Sequence, residues 1–68
     1  MSGVHFRVLY IKELIVIKDL AAAMGLRPPV MMKELMDRGI FANINSTIER
    51  EIAESILRKY GMPYEFIE

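Results

Sequence analysis

Hydrophobic positions alternate at the start of the chain and then change period. Val4, Phe6, Val8 and Tyr10 share one face of an extended segment, with His5 and Arg7 on the other, which predicts a strand over 4–11. Leu9 and Ile11 make the second face apolar as well, so the strand is expected to be covered on both sides toward its end. Lys12-Glu13 interrupts the run, and Leu14-Ile15-Val16-Ile17 resumes it as a short extended piece. From Ile17 the spacing becomes helical through Leu20, Ala21 and Met24, and the run Ala21-Ala22-Ala23 favours helix strongly. After the link Arg27-Pro28-Pro29, a second helix is expected from about Pro29 to Arg38, because proline is tolerated where the amide would be unpaired anyway. Val30, Met31, Leu35 and Met36 form its apolar face, with Lys33, Glu34 and Asp37 turned to water.

Ile40 to Ile44 is short and partly β-branched, which predicts a small strand. Asn43 and Asn45 favour a turn, and Ser46 with Glu49 has capping-box spacing for a third helix, Thr47 being a competing cap. Ile48, Ile52, Ala53, Ile56, Leu57 and Tyr60 line one side of that helix. Glu49, Arg50, Glu51, Glu54, Arg58 and Lys59 fill the other, Glu54 and Arg58 having i,i+4 spacing. Tyr64-Glu65-Phe66-Ile67 closes the chain as a strand. The order strand, helix, helix, strand, helix, strand makes this an α+β chain.

Three glycines punctuate the pattern in one way: Met24-Gly25-Leu26, Arg38-Gly39-Ile40 and Tyr60-Gly61-Met62. Each follows a helical stretch and precedes an apolar residue. A residue just past a helix end adopts the left-handed conformation, which glycine enters without penalty, and the next apolar side chain folds back over the last turn. Three such stops in 68 residues predict three short helices turned toward one core.

Composition narrows the classes. With 68 residues and no cysteine, a single domain over 1–68 must hold together without disulfide or thiolate–zinc reinforcement. A stability of roughly 3–5 kcal/mol is the expectation for such a core. Nine basic and nine acidic residues cancel, so there is no general attraction to nucleic acid or anionic membrane. The run Leu14–Ile17, flanked by charges, is far short of a membrane span, and Met1-Ser2-Gly3-Val4-His5 lacks the features of a signal peptide. A cytoplasmic protein is expected.

Candidate chemistry is sparse. The glycines are too widely spaced for G-x-x-x-x-G-K-[ST] or G-x-G-x-x-G, so no nucleotide site of either kind is expected. His5 reads as a surface-facing strand residue, since nothing near it completes a metal or acid–base site. Glu34 and Asp37 read as acids on a solvated helix face. No nucleophile, base and orienting group assemble, so no enzyme, cofactor or metal is expected. Met31, Met32 and Met36 fit either core packing or an adaptable partner surface, with Met32 the one expected to be exposed. Lys33, Arg38, Arg58 and Lys59 fit either a solvated face or an RNA-binding patch gathered as the second and third helices pack. Met32, Lys33, Arg38, Arg58 and Lys59 are therefore the candidate partner contacts.

Several segments together carry a family resemblance: Ile15-Val16-Ile17-Lys18-Asp19-Leu20-Ala21, Met24-Gly25-Leu26 and the stretch Leu35-Met36-Asp37-Arg38-Gly39-Ile40-Phe41-Ala42-Asn43-Ile44-Asn45-Ser46-Thr47-Ile48. Ala53, Tyr60-Gly61 and Tyr64-Glu65-Phe66 complete the set. In this order and spacing they resemble the N-terminal module of bacterial translation initiation factor 2, most closely the copy nearer the GTPase domain. The resemblance places a leading strand in 1–13 and the module in 14–68, and implies a small domain with three helices on one face of a small sheet. It implies a non-catalytic role in initiation of protein synthesis through contacts with the ribosome, RNA or another factor, the small ribosomal subunit or its RNA being the implied partner, for a monomer away from membranes. The parent factor binds GTP in a separate domain, and none of its nucleotide, tRNA or hydrolysis residues carries over to this chain. One departure stands out. Family members commonly have threonine where this chain has Val16, and the missing cap is worth about 1 kcal/mol, so the first helix is expected to fray unless Ile17 and Leu20 compensate by packing. The alternative to the family reading is a free-standing helix-turn-helix-like nucleic-acid-binding domain using the four basic residues.

Overall fold

In the computed structural model, which describes residues 8–67, Lys12 and Glu13 split the N-terminal apolar run into two strands. These are β1 (Leu9–Ile11) and β2 (Leu14–Val16), followed by helix α1 (Ile17–Met24), helix α2 (Pro28–Asp37), strand β3 (Thr47–Glu49), helix α3 (Arg50–Lys59) and strand β4 (Tyr64–Phe66). The α+β class and the three helices are as the periodicity predicts. Val4 to Arg7 of the expected leading strand, with His5, lie outside the described residues.

The strands form two ladders. β1 pairs in parallel with β4, Leu9 opposite Tyr64 and Ile11 opposite Phe66. β2 pairs antiparallel with β3, Ile15 opposite Ile48. Two further bonds extend the first ladder, from the Leu9 amide to the Pro63 carbonyl (3.2 Å) and from Ile67 to Ile11 (2.7 Å). The Arg50 amide donates to the Glu13 carbonyl (3.0 Å), tying the start of α3 to the break between β1 and β2.

All three glycine stops close in the same way. Gly25, Gly39 and Gly61 have φ of 73°, 77° and 66°. The following amides of Leu26, Ile40 and Met62 reach back to the carbonyls of Ala21, Leu35 and Leu57 at 2.9, 2.9 and 3.0 Å. The glycine amides themselves donate to Ala22, Met36 and Arg58. This bond pair is the Schellman motif, and Leu26, Ile40 and Met62 each pack against the core as that motif requires.

Ile17, Leu20, Ala21 and Met24 of α1 meet Met31 and Leu35 of α2 and Ala53, Ile56 and Leu57 of α3, with Ile11 and Ile48 closing the core from the strands. Ile17, Met31, Leu35, Ile56 and Leu57 are its largest fully buried side chains. Each contributes about 1.5–3 kcal/mol by leaving water.

Four expectations are corrected. Residues 40–44 are not a strand; they run as an irregular loop, and the partner of β2 is Thr47–Glu49 instead. The capping box fails for the same reason: Ser46 to Glu49 are occupied by the loop and β3, so α3 begins at Arg50 with no side-chain cap bond from Glu49. Ile48 still reaches the core, but from a strand. On α2 the buried stripe is Met31, Glu34 and Leu35, leaving Val30 and Met36 exposed and Glu34 inside. Finally, Glu54 approaches Arg50 (3.8 Å) rather than Arg58, whose Nη1 donates to the Tyr64 hydroxyl (3.1 Å).

Val16 indeed makes no side-chain cap. The α1 amides find other acceptors: Ile17 donates to the Ser46 carbonyl and Lys18 to the Ile44 carbonyl, both at 2.9 Å. The loop before β3 thus does by backbone what a threonine would do by side chain, and Ile17 and Leu20 are buried besides.

Candidate functional site

Position 34 lies one turn after Met31 and one before Arg38, on the face that α2 turns to α3. That geometry buries a carboxylate. Glu34 is 7% exposed and is surrounded by donors. Lys59 Nζ approaches both of its oxygens at 2.8 Å, the Tyr60 hydroxyl donates to Oε2 at 2.7 Å, and Arg38 Nη1 donates to Oε1 at 3.0 Å. Arg38 also donates from Nη1 to the Glu34 carbonyl (2.8 Å) and from Nε to the Ser55 hydroxyl (3.0 Å), joining the end of α2 to the middle of α3. The ammonium of Lys59 and then the Tyr60 hydroxyl hold the Glu34 carboxyl down, from its ordinary 4.5 to about 2, against the opposing effect of burial. Reciprocally, the carboxylate raises the pKa of Lys59 and of Tyr60.

Arg38 and Lys59 therefore do converge as the helices pack, but on an acid that neutralises one of the two charges. Lys33 is exposed and pairs with Asp37 at 3.3 Å on the solvent side of α2. Arg58 is exposed beside Tyr64. Glu34, which the sequence reading turned to water, is the centre of the polar cluster; an acid within the stripe 31, 34, 35, 38, with a base four residues on, was the signal for it.

Met32, the methionine expected to be exposed, is instead half-buried and packed against the core, and Met36 is the one left in water. With Met36, Phe41, Ala42, Asn43 and Ser46 it lines a surface cleft of about 480 Å³ between α2 and the loop that precedes β3. Met36 is 54% and Phe41 81% exposed, a large apolar surface to leave in water. The loop is held in shape: Asn43 Oδ1 accepts from the Asn45 amide (2.8 Å), the Asn43 carbonyl accepts from the Ser46 amide (3.0 Å), and the Ile44 and Ser46 carbonyls are fixed on α1. A smaller apolar crevice of about 340 Å³ lies between Leu9, Ala22–Gly25 and Met62-Pro63. Among the described residues no group of three His, Cys, Asp or Glu side chains is placed to hold a metal ion. No helix among them is long and apolar enough to cross a membrane.

The pattern that describes the family "Translation initiation factor IF-2, N-terminal region" matches residues 13–62, from the break before β2 to the apolar residue after the last glycine stop. The chain belongs to this family. Among curated relatives, it is similar to translation initiation factor IF-2 of Solibacter usitatus, 38% identical over 55 residues, which is 81% of this chain and 6% of that protein. It is 41% identical to IF-2 of Rickettsia felis over 56 residues, 82% of this chain and 7% of that protein. With IF-2 of Koribacter versatilis it shares 34% over 61 residues, 90% of this chain and 6% of that protein. The chain thus spans only a small part of the length of the relatives it matches. The matched stretch of this chain, 13–62, spans all three helices, β2 and β3, and holds the residues of the Glu34 cluster and of the Met36–Phe41 cleft.

Proposed function

We propose that this chain acts in the initiation of protein synthesis as a non-catalytic IF-2 N-terminal module, a binding unit that holds its factor to the small ribosomal subunit. The match over residues 13–62 carries this reading. The chemistry of the molecule agrees with it. The strongest polar cluster among the described residues, around Glu34, ties two helices together, a structural task, and the sequence has no phosphate-binding glycine loop. GTP binding and hydrolysis belong, on this reading, to another part of the parent factor, and the module works in the cytoplasm as a monomer without a cofactor of its own. The helix-turn-helix alternative loses support, since Arg38 and Lys59 face Glu34 and Lys33 faces Asp37.

Co-sedimentation of the 68-residue chain with purified bacterial small ribosomal subunits, carrying the other initiation factors, tests the proposal. Saturable retention supports it. A chain left entirely in the supernatant at micromolar concentration refutes it, as does a parent reading frame without a G-x-x-x-x-G-K-[ST] segment downstream.

A further inference from the structure

The four strands divide between two units. β2 and β3 pack on each other and on the helices, whereas β1 and β4 pack chiefly on one another. Both β1 and β4 also fall outside residues 13–62, the stretch that matches the family. Among the described residues, every buried core side chain except Ile11 falls inside that stretch. The Met62 amide is anchored on the Leu57 carbonyl and Pro63 follows directly, so β4 leaves the core from a fixed point. In a parallel pair alternate residues make the bonds, and here the edge of β1 that β4 takes up is that of Leu9 and Ile11.

Two arginines of α3 meet β4. Arg58 donates to the Tyr64 hydroxyl at 3.1 Å, and the Arg50 guanidinium lies 4.2 Å from the centroid of the Phe66 ring. The second contact leaves Arg50 poorly served. Its Nε is buried and has no hydrogen-bond partner among the described residues. Glu54 Oε2, one turn further along α3, stands 3.8 Å from it, beyond hydrogen-bonding distance. A buried donor without an acceptor is costly, and attraction to the ring is a gain of comparable size. Both apply only while β4 is in place. Without the ring, the guanidinium is able to close on Glu54.

We infer that β4 is a strap that opens from β1 while the helices stay folded, with Arg50 on the Phe66 ring in the closed state and bonded to Glu54 in the open one. Opening bares the hydrogen-bonding edge of Leu9 and Ile11. It also frees the guanidinium of Arg58, one of the candidate partner contacts, from Tyr64. The inference stands independently of the proposed role in initiation.

Amide hydrogen exchange of the 68-residue chain, followed by NMR with and without low concentrations of urea, tests it. The Leu9 and Ile67 amides, both bonded across the ladder, are expected to be about tenfold or more less protected than those of Ile56 and Leu57 within α3. Their protection should hardly respond to urea, because opening a strap exposes little surface. Phe66→Ala should lower protection at Leu9 about threefold or more and leave Ile56 and Leu57 unchanged. Glu54→Gln, which weakens the open-state partner of Arg50, should raise it. Ladder amides that lose protection only in step with Ile56 and Leu57 overturn the strap, as does a Phe66→Ala variant whose core loses as much protection as its ladder. A Glu54→Gln variant whose ladder is no better protected than the wild type overturns the role given to Arg50.

Discussion

Lys59 Nζ lies 2.8 Å from each carboxylate oxygen of Glu34, a contact that spans two helices and 25 positions of sequence. Because Arg38 and Tyr60 reach the same carboxylate, the orientation of α2 on α3 depends on one acid. Glu34→Gln should therefore destabilise the fold by about 1–3 kcal/mol, since the donors lose a charged acceptor at a buried position. Glu34→Leu should cost more than Glu34→Gln, because it removes the acceptor as well as the charge and leaves the partly buried Arg38 and Tyr60 donors unpaired. Urea unfolding of the two variants checks the order; a cheaper Glu34→Leu would mean that apolar volume at position 34, rather than the hydrogen bonds it accepts, dominates.

Acid should unfold the protein through this same group. The Glu34 pKa is depressed in the folded state, so its contribution is fully present above about 4.5 and is lost as the pH falls toward about 2. On the alkaline side the pKa values of Lys59 and Tyr60 are raised, so their contribution holds below their ordinary values of 10.5 and 10.0 and is lost as the pH rises beyond them. Titration of the Glu34 carboxyl by NMR should show Lys59→Met raising its pKa more than Tyr60→Phe, and Tyr60→Phe more than Arg38→Met.

The glycine stops should respond to substitution through backbone conformation alone. A Cβ built at Gly25, Gly39 or Gly61 meets nothing within 4 Å. Alanine at any of the three should cost about 1–2 kcal/mol from the left-handed backbone, and asparagine less. Denaturant midpoints for the three alanine variants should fall together; a neutral substitution at one would show that its helix end relaxes into another geometry.

Val16→Thr restores a capping hydroxyl, and the gain should be smaller than the about 1 kcal/mol typical of a new cap. Of the amides such a hydroxyl could reach, that of Lys18 already donates to the Ile44 carbonyl. Hydrogen exchange of the α1 amides in both proteins measures this, and a gain well above that figure would show the carbonyl of Ile44 to be a poor substitute.

Local chemistry made much of the fold readable. The helix ends were visible because glycine followed by an apolar residue specifies the terminus by itself, and α1 and the closing strand followed from their periods. The errors lie where distant partners decide. Ile48 suits a helix or a strand, and pairing with Ile15 settled the matter in favour of β3. Residues 40–44 look extended locally, but they pair with no described strand, and the Ile44 carbonyl binds α1 instead. The apolar face of α2 was drawn through Val30 and Met36 because they are hydrophobic; following the 3.6-residue period strictly would have drawn it through Glu34. At the cleft, helical spacing alone puts the wrong methionine in water, Met32 rather than Met36, and Phe41 is hidden within what reads as a strand.

The parallel pairing of β1 with β4 has a mechanical consequence. The described chain enters at Leu9 and leaves past Phe66, at opposite ends of a ladder roughly 10 Å long whose strands point the same way. Tension applied to the two ends pulls these strands past each other lengthwise, so the ladder's bonds are loaded together in shear rather than peeled one at a time. The helices between them are shielded from the load until that clamp slips.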